Sequence, residues 1–365
     1  MTKCAELANL IGNINAGGGG VNMNLIINGA MNVAQRATSA TGLGASSGYF
    51  VCDRWYLYSN DNAGRLTMSQ DSSVPTGKGF ANSLKLACTT ADTSVGTNEG
   101  LQISQKIESQ NLQGFGKGTS EAKPFAVSFY VKGNASATYV CELMDTDNSN
   151  RHVGKTFNVT TDWTRVELTF PADTTGTFDD DNNQGLNLNI FLHSGSFNTS
   201  GTLQQTWGTL SQGDRGAGIS SFFDSTSRTF FITGVQLEVG QNATEFEHEP
   251  FSQTLQKCLR YTFVHQTNVS YAFSALSGYM ASSTNALTFY QYPVRMRAEP
   301  SLTTTGTFHL LDGHSSYSIS GMSMSERSVI SARVDVTSSG LTTGRVATIR
   351  NQGDSDAQII FDAEL

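Results

Sequence analysis

The stretch ITGVQLEVGQNATEFEHEPFSQTLQKCLRY, Ile232 to Tyr261, changes its period halfway along. Before Gly240, apolar and polar residues alternate, which is typical of a half-buried strand. After Pro250, apolar residues recur at i, i+4, i+7 and i+8, which is one face of a helix. These residues are Phe251, Leu255, Cys258 and Leu259. The sequence therefore predicts one short helix in a chain whose other segments indicate β-structure.

Residues 23–249, before this helix, show the alternation of antiparallel strands that have one solvated face. It is clearest in PFAVSFYVKG and recurs in SLKLAC, TRVELTF and LNLNIFL. Turn clusters such as ADTTGTFDDDNNQG separate these runs. About eight to ten short strands of this kind predict two packed sheets, a jelly-roll type β-sandwich.

Residues 263–365, after the helix, predict a second and smaller β-domain. Its strand candidates are ALTFYQY, SARVDV, GRVATIR and AQIIFDAEL. The helix at residues 250–262 is then a connector between two β-domains in an all-β chain. One domain or a neighbouring chain must cover its apolar face, which includes Phe251, Leu255 and Leu259.

Residues 1–22 predict an attachment segment. Apolar residues form a short helical stripe, and GGGG at 17–20 follows as a flexible linker. The stripe consists of Leu7, Leu10, Ile11 and Ile14. A short amphipathic helix on a linker is suited to docking on a larger particle, although a frayed terminus with accidental periodicity explains the same residues.

Composition and charge bound the function classes. The chain has 365 residues, a net charge of −8 and no cluster of Lys or Arg, so we expect no nucleic-acid partner. No segment has the length and apolarity of a membrane span, and the N-terminus is a poor secretion signal. The five cysteines are dispersed, which favours buried thiols in a protein made in a reducing compartment.

Catalytic and metal-binding motifs are sparse. None of the six histidines lies in H-E-x-x-H or beside a Cys pair, and no P-loop occurs. The sequence therefore predicts a protein that is not an enzyme and has no resident cofactor. The acidic run with Asp179, Asp181 and Asn183 could bind calcium through oxygen ligands, but a solvated turn is the alternative.

Aromatic side chains are the candidate ligand contacts, because rings stack on the apolar faces of sugars. Trp207 lies in QQTWGTL between Gly-rich stretches and is the best loop candidate, with a structural role as the alternative. In the C-terminal domain Tyr279, Tyr290 and Tyr292 could line a tip surface.

Several segments in a fixed order resemble receptor-binding and tail-fibre proteins of bacteriophages, particularly marine ones. They are NLIINGAMNVAQR (24–36), CDRWYL (52–57), ITGVQLEVGQNATEFEHEPF (232–251), CLRY (258–261), YPVRMRAEPSLT (292–303) and the terminal IIFDAEL. The resemblance implies a virion component made in the host cytoplasm, with a carbohydrate-binding-module-like sandwich and a distal β-domain. It also implies a homotrimer that contacts other virion proteins through its N-terminus.

The sequence thus leads to the hypothesis of a phage tail fibre or receptor-binding protein that attaches to a host surface glycan. Three linked copies would raise avidity without any new contact. One alternative is a capsid decoration or tail adaptor protein. A second alternative, from a different class, is a polysaccharide depolymerase.

Overall fold

The computed structural model describes residues 23–365, so the predicted attachment residues Leu7, Leu10, Ile11 and Ile14 lie outside the described residues. The chain divides into two compact units. The first extends to Thr254 and also contains Leu365, and the second is Leu255–Glu364. Both units consist mainly of antiparallel sheets, which confirms the predicted all-β fold class with its sandwich and short helix.

Among the described residues of the first unit, thirteen strands form two sheets. Its strands are β1 Ser39–Leu43, β2 Gly48–Tyr49, β3 Tyr56–Asn60, β4 Arg65–Asp71, β5 Ser83–Thr90, β6 Gly100–Glu108, β7 Phe125–Gly133, β8 Ala137–Asp145, β9 Arg151–Val159, β10 Thr164–Phe170, β11 Gln184–Ser194, β12 Gly208–Thr209 and β13 Thr229–Val239. The six-stranded sheet has the order β1-β4-β5-β13-β7-β10, and the seven-stranded sheet, here the site sheet, has the order β12-β9-β8-β11-β6-β3-β2.

Short helical segments lie between these strands. Four are 3₁₀ turns, at Ser109–Asn111, Gln113–Phe115, Gln212–Asp214 and Phe222–Asp224. One is a single α-helical turn, α1, at Ser196–Thr199.

Strand β7 has the predicted core face, but its other face is not solvated as the alternation predicts. Phe125, Val127, Phe129 and Val131 are fully buried between the two sheets, as the pattern predicts. The residues between them are buried as well, so the expected solvated face is absent from this strand. On that face the ring of Phe80 lies edge-on to Tyr130, with a centroid distance of 5.5 Å, and is tilted against the ring of Phe246 at 5.0 Å.

Helix α2, Phe251–Leu259, lies at the predicted position. It begins after Pro250, whose carbonyl accepts the N–H groups of Gln253 and Thr254. Along the predicted apolar face Cys258 is buried, Leu255 and Leu259 are half-buried, and Phe251 is 56% exposed. No helix of the described residues is long and apolar enough to span a membrane.

The second unit packs two sheets around a separate core. Its strands are β14 Thr262–Gln266, β15 Phe273–Met280, β16 Asn285–Gln291, β17 Ser301–Thr305, β18 Phe308–Leu311, β19 Ser316–Ser318, β20 Gly321–Ser325, β21 Ser331–Thr337, β22 Val346–Asn351 and β23 Gln358–Asp362. The three-stranded sheet has the order β14-β23-β17. The seven-stranded sheet, here the platform sheet, has the order β19-β18-β22-β15-β16-β21-β20.

Candidate functional site

An open cleft of about 300 Å³ lies on the outer face of the site sheet. It is lined by residues of β3, β6 and the segments around them: Tyr58, Asn60, Asp61, Asn98, Gln102, Phe197, Asn198, Gln212 and Arg215. All of these residues belong to the first unit.

Strands β3 and β6 provide the floor of the cleft. Tyr58 and Gln102 are directly opposite each other in the ladder between these strands. Their neighbours Leu57 and Leu101 are fully buried in the core, so the alternation of side chains turns Tyr58 and Gln102 to the outer face. Tyr58 remains 38% exposed there.

Residues 195–216, here the cover loop, form the wall. The N–H of Gly195 donates to the carbonyl of Glu99, and that of Phe197 to the carbonyl of Thr97, both at 2.9 Å. The backbones come so close that a Cβ on Gly195 would lie 1.8 Å from the carbonyl oxygen of Gly96. Helix α1 is thereby fixed beside the sheet, and its Phe197 ring stands 49% exposed over the cleft.

A buried ion pair joins the cover loop to the sheet. Arg215 donates from Nε to Oε1 of Glu142 at 2.9 Å and from Nη2 to Oε2 at 2.7 Å. The guanidinium also lies over the ring of Phe191, 5.1 Å from its centroid. Such a two-pronged arrangement fixes the orientation of the arginine as well as its position.

Glu142 is fully buried, and its carboxylate accepts four hydrogen bonds. Besides Arg215, Oε1 lies 3.0 Å from Nδ1 of His152, and Oε2 accepts Nδ2 of Asn189 at 2.8 Å. Burial by itself raises the pKa of Glu142, but the charge of Arg215 and these hydrogen bonds outweigh it and hold the pKa at about 2. The same pairing raises the pKa of Arg215. Both groups are therefore charged at neutral pH.

The polar lining of the cleft consists mostly of carboxamides, on Asn60, Asn98, Gln102, Asn198 and Gln212. A carboxamide presents two N–H donors and an oxygen acceptor within one small plane. Asn198 is 6% exposed, and within residues 23–365 its Oδ1 has no hydrogen-bond partner. The residue therefore lines the cleft with other atoms than this enclosed oxygen.

Trp207, the predicted loop platform, lies outside this cleft. Its indole N–H donates to the carbonyl of Pro171 at 2.8 Å, and its ring packs 5.4 Å from that of Phe125. The side chain is half-buried against the core of the first unit. The indole N–H and the ring of Trp207 therefore both make contacts within the first unit.

The three predicted tyrosines of the second unit are not brought to one surface. Tyr290 and Tyr292 are 9% and 5% exposed and belong to the core, where burial raises the pKa of each to about 12. Tyr279 is 46% exposed on the outer face of the platform sheet. There it is paired with Val346 on one neighbouring strand. On the other neighbouring strand it lies diagonally from Phe289, which is 51% exposed.

The predicted calcium residues form a hydrogen-bonded turn. Asp181 accepts the backbone N–H of Asn183 at 2.9 Å and its side-chain Nδ2 at 2.5 Å. Asp179 is exposed, and its backbone N–H donates to Asp147. Across residues 23–365 no group of three or more His, Cys, Asp or Glu side chains could hold a metal ion.

A buried ammonium group occupies a cage of oxygen atoms near Trp207. Nζ of Lys117 donates to Oδ2 of Asp145 at 2.5 Å and to the carbonyls of Thr175 and Gly176 at 2.9 and 2.8 Å. It also lies 3.2 Å from Oδ2 of Asp173. The side chains of Lys117 and Asp145 are fully buried, so each charge depends on the other for its stabilisation.

Ser221, His193 and Glu99 form a chain of the kind that serves nucleophilic catalysis in hydrolases. Oγ of Ser221 lies 2.7 Å from Nδ1 of His193, and Oε2 of Glu99 lies 3.0 Å from Nε2. Oγ of Ser221 also accepts the N–H of Phe223 at 3.1 Å, which caps the 3₁₀ turn at Phe222–Asp224. This capping bond and the complete burial of His193 give the three residues a role in the fold.

The comparisons with known proteins concern folds only. No known protein family and no curated protein matches the sequence. Solved structures with a similar fold include the enzymatically active domain of tailspike protein 4 of bacteriophage CBA120, at 12% identity and a TM-score of 0.30. That alignment covers 59% of this chain and 21% of the tailspike chain.

Two further similar structures are smaller proteins. A putative sugar binding protein from Bacteroides thetaiotaomicron aligns at 12% identity and a TM-score of 0.32, over 60% of this chain and all of the other. The family 11 carbohydrate-binding module of a Clostridium thermocellum cellulase aligns at 14% identity and a TM-score of 0.27, over 57% of this chain and 98% of the module. At these identities and TM-scores the similarities assign no activity to this chain.

The sequence contains two signals for the cleft. Tyr58 occupies an outward position in YLYS, whose alternation is visible. Phe197 is an apolar residue in the polar segment SGSFNTSG, where no core strand is indicated. An aromatic ring in such a segment favours a surface contact.

Proposed function

We propose that the cleft of the first unit binds a carbohydrate. The observation that supports this most is the pair of exposed rings, Tyr58 and Phe197, beside the carboxamides that line the cleft. Rings cover the apolar C–H faces of a pyranose, and neighbouring carboxamides exchange hydrogen bonds with its hydroxyl groups in both directions. The openness and modest size of the cleft suit a short segment of a polymer.

The biological role we infer is attachment of a phage tail fibre to a glycan on the host surface. The resemblance of residues 24–36, 52–57, 232–251, 258–261 and 292–303 to phage receptor-binding proteins supports this role. Single sugar sites bind weakly, and linked copies on one virion would compensate by avidity. The predicted homotrimer, and attachment to the virion through the N-terminus, are parts of the same proposal.

A glycan array tests the cleft with a matched pair of exposed tyrosines. The full chain is applied to an array of neutral and acidic oligosaccharides, beside the variants Tyr58→Ala, Phe197→Ala and Tyr279→Ala. We expect binding to at least one glycan class, with a loss of about 5- to 100-fold for the first two variants, since stacked rings contribute about 1–3 kcal/mol. Tyr279→Ala is the control, because this ring is equally exposed but lies in the second unit.

Two results would contradict the proposal. One is a glycan whose binding depends on Tyr279 and not on Tyr58, which would place recognition in the second unit. The other is the absence of binding to every member of the array. Competition with virus adsorption then tests the role: soluble chain blocks adsorption if the protein is a fibre and leaves it unchanged if it is a capsid decoration or tail adaptor protein.

The proposed trimer contact involves Phe251, Leu255 and Leu259 of helix α2. Light scattering during size exclusion should give three times the 39.2 kDa of one chain. Leu255→Glu should shift the mass to that of one chain, because a charge cannot be buried at an apolar contact without a partner. Gln256→Glu, at an exposed position of the same helix, is the matched control and should leave the mass unchanged.

A further inference from the structure

We infer that the cleft selects neutral glycans and rejects those that carry carboxylate or sulfate groups. This inference rests on the proposed function, because it concerns the ligand of the same site. It follows from the way the charges around the cleft are paired. The two rings and the carboxamides favour a sugar but do not determine whether the sugar is neutral or acidic.

The cleft offers one cationic side chain, and a buried carboxylate has already neutralised it. Arg215 is the sole Lys or Arg among the described lining residues. Its Nε and Nη2 both donate to Glu142, which is fully buried and cannot turn away to solvent. An anion that approached Arg215 would compete with a carboxylate already held in a bidentate geometry.

The part of Arg215 that remains for a ligand is suited to a hydroxyl group. Its Nη1 lies 3.4 Å from Oε1 of Gln212, a long and weak hydrogen bond. The guanidinium and Glu142 together carry no net charge, so this edge acts as a neutral donor beside the carboxamides. Neutral donors pair with sugar hydroxyls and gain little from a negative charge on the ligand.

Asp61 adds a negative charge at the rim of the cleft. It is exposed, it follows β3 directly, and it adopts a left-handed backbone conformation at φ 51°. The whole chain has a net charge of −8, which adds repulsion at longer range. A uronate or sulfate ester in the cleft would therefore meet a carboxylate and no available cation.

The experiment compares acidic glycans with their own neutral forms. Each acidic member of an array is printed beside the product of carboxyl reduction or desulfation, so that each pair differs only at the acidic group, and the salt dependence reports the contribution of the charge. The full chain is tested on these pairs at about 0.05 M and 0.5 M salt. We expect the neutral form to bind about 3- to 10-fold more tightly at low salt and the difference to shrink at high salt.

Asp61→Asn tests the origin of the selectivity, and Asp162→Asn is the matched control. Asparagine adopts the left-handed conformation readily, so the substitution removes the charge without backbone strain. We expect Asp61→Asn to reduce the ratio between neutral and acidic forms by about 2- to 4-fold. Asp162 is exposed in the turn after β9, so Asp162→Asn removes the same charge elsewhere in the first unit. This variant should keep the unmodified chain's ratio between neutral and acidic forms.

The outcomes separate this inference from the proposed function. Tighter binding of acidic forms, weakening as salt rises, would overturn the selectivity and leave the glycan-binding cleft in place. An equal effect of Asp61→Asn and Asp162→Asn would also overturn it, because repulsion would then not arise in the cleft. Binding that does not depend on Tyr58, or no binding at all, would overturn both.

Discussion

The site sheet and the platform sheet have seven strands each, but their outer faces differ in which side chains are buried. The site sheet carries Glu142 and Asn189 under a cover loop, fully or almost fully buried. The platform sheet leaves Tyr279, Phe289 and Val346 between 46% and 61% exposed. A covered polar face therefore yields a cleft with depth, whereas an uncovered apolar face yields a flat surface.

Individual ion pairs of the two units differ in burial. In the first unit Lys117 and Asp145 are fully buried, and so is Glu142 opposite Arg215. In the second unit Arg333 pairs with Glu326, which is 70% exposed, and with the half-buried Asp335. Buried pairs are costly to break, because removal of one partner leaves an uncompensated charge, whereas exposed pairs contribute little.

The largest expected effect is that of Lys117→Met. It leaves two buried carboxylates, Asp145 and Asp173, without the ammonium group between them, and we expect the first unit to lose about 3–5 kcal/mol. Urea unfolding followed by tryptophan fluorescence measures this loss, since all three tryptophans lie in the first unit. Arg333→Met is the control for an exposed pair and should cost less than about 1 kcal/mol by calorimetry. Similar losses for both variants would break the comparison.

Acid should weaken the first unit through Glu142. Its pKa falls from an ordinary 4.5 to about 2 on folding. The stabilisation is therefore complete above about pH 4.5 and is lost as the pH falls toward 2. Linkage gives about 3 kcal/mol for this group. We expect Glu142→Gln to be less stable than the unmodified chain at pH 7, with a difference that shrinks between pH 4.5 and 2. A difference independent of pH would contradict the assignment.

Gly195→Ala tests the close approach that holds the cover loop. The new Cβ would overlap the carbonyl of Gly96, so the loop must shift, at a cost of about 1–3 kcal/mol. We expect weaker glycan binding as well, because Phe197 moves with the loop. Gly321→Ala, in β20 of the platform sheet, is the matched control: nothing lies within 4 Å of its added Cβ, and stability should change by less than about 0.5 kcal/mol. The reverse ranking of the two variants would break the comparison.

The smallest effects are expected on the platform sheet. Tyr279→Ala and Phe289→Ala remove half-exposed rings from neighbouring strands, and each should cost at most about 1 kcal/mol. Thermal unfolding of the full chain measures both. Losses above about 2 kcal/mol would mean that these rings are buried in solution, by a second copy of the chain or another partner.

The fold class could be predicted from the sequence because alternation identifies the strands and, where one parity alone is apolar, the side chains that pack into the core. In β7 the spacing of Phe125, Val127 and Phe129 was sufficient. The cleft could not be predicted, because it depends on register and on loop position. Tyr58 faces Gln102 across 44 residues of chain, and Phe197 reaches them from a loop that backbone hydrogen bonds to Thr97 and Glu99 hold in place. No local pattern specifies such pairings.

Strand β16 shows why the sequence misplaced two tyrosines. In NALTFYQ both parities carry apolar residues, with Leu287 and Phe289 on one face and Ala286 and Tyr290 on the other. The structure turns Ala286 and Tyr290 inward and leaves Phe289 exposed. Alternation defines two faces but cannot say which is buried when both are apolar. Tyr292, two residues beyond Tyr290, shares its parity and therefore its burial.

Lys117 allows the first unit to stay folded without a bound cation at the carboxylates of Asp145 and Asp173. Its ammonium group fills an oxygen cage that a dissolved cation would otherwise have to fill, and it is bonded to the chain itself. A tethered counter-ion cannot be diluted away, and a chelating agent cannot extract it. The buried carboxylate of Asp145 is thus neutralised by the chain itself and needs no ion from the surrounding water.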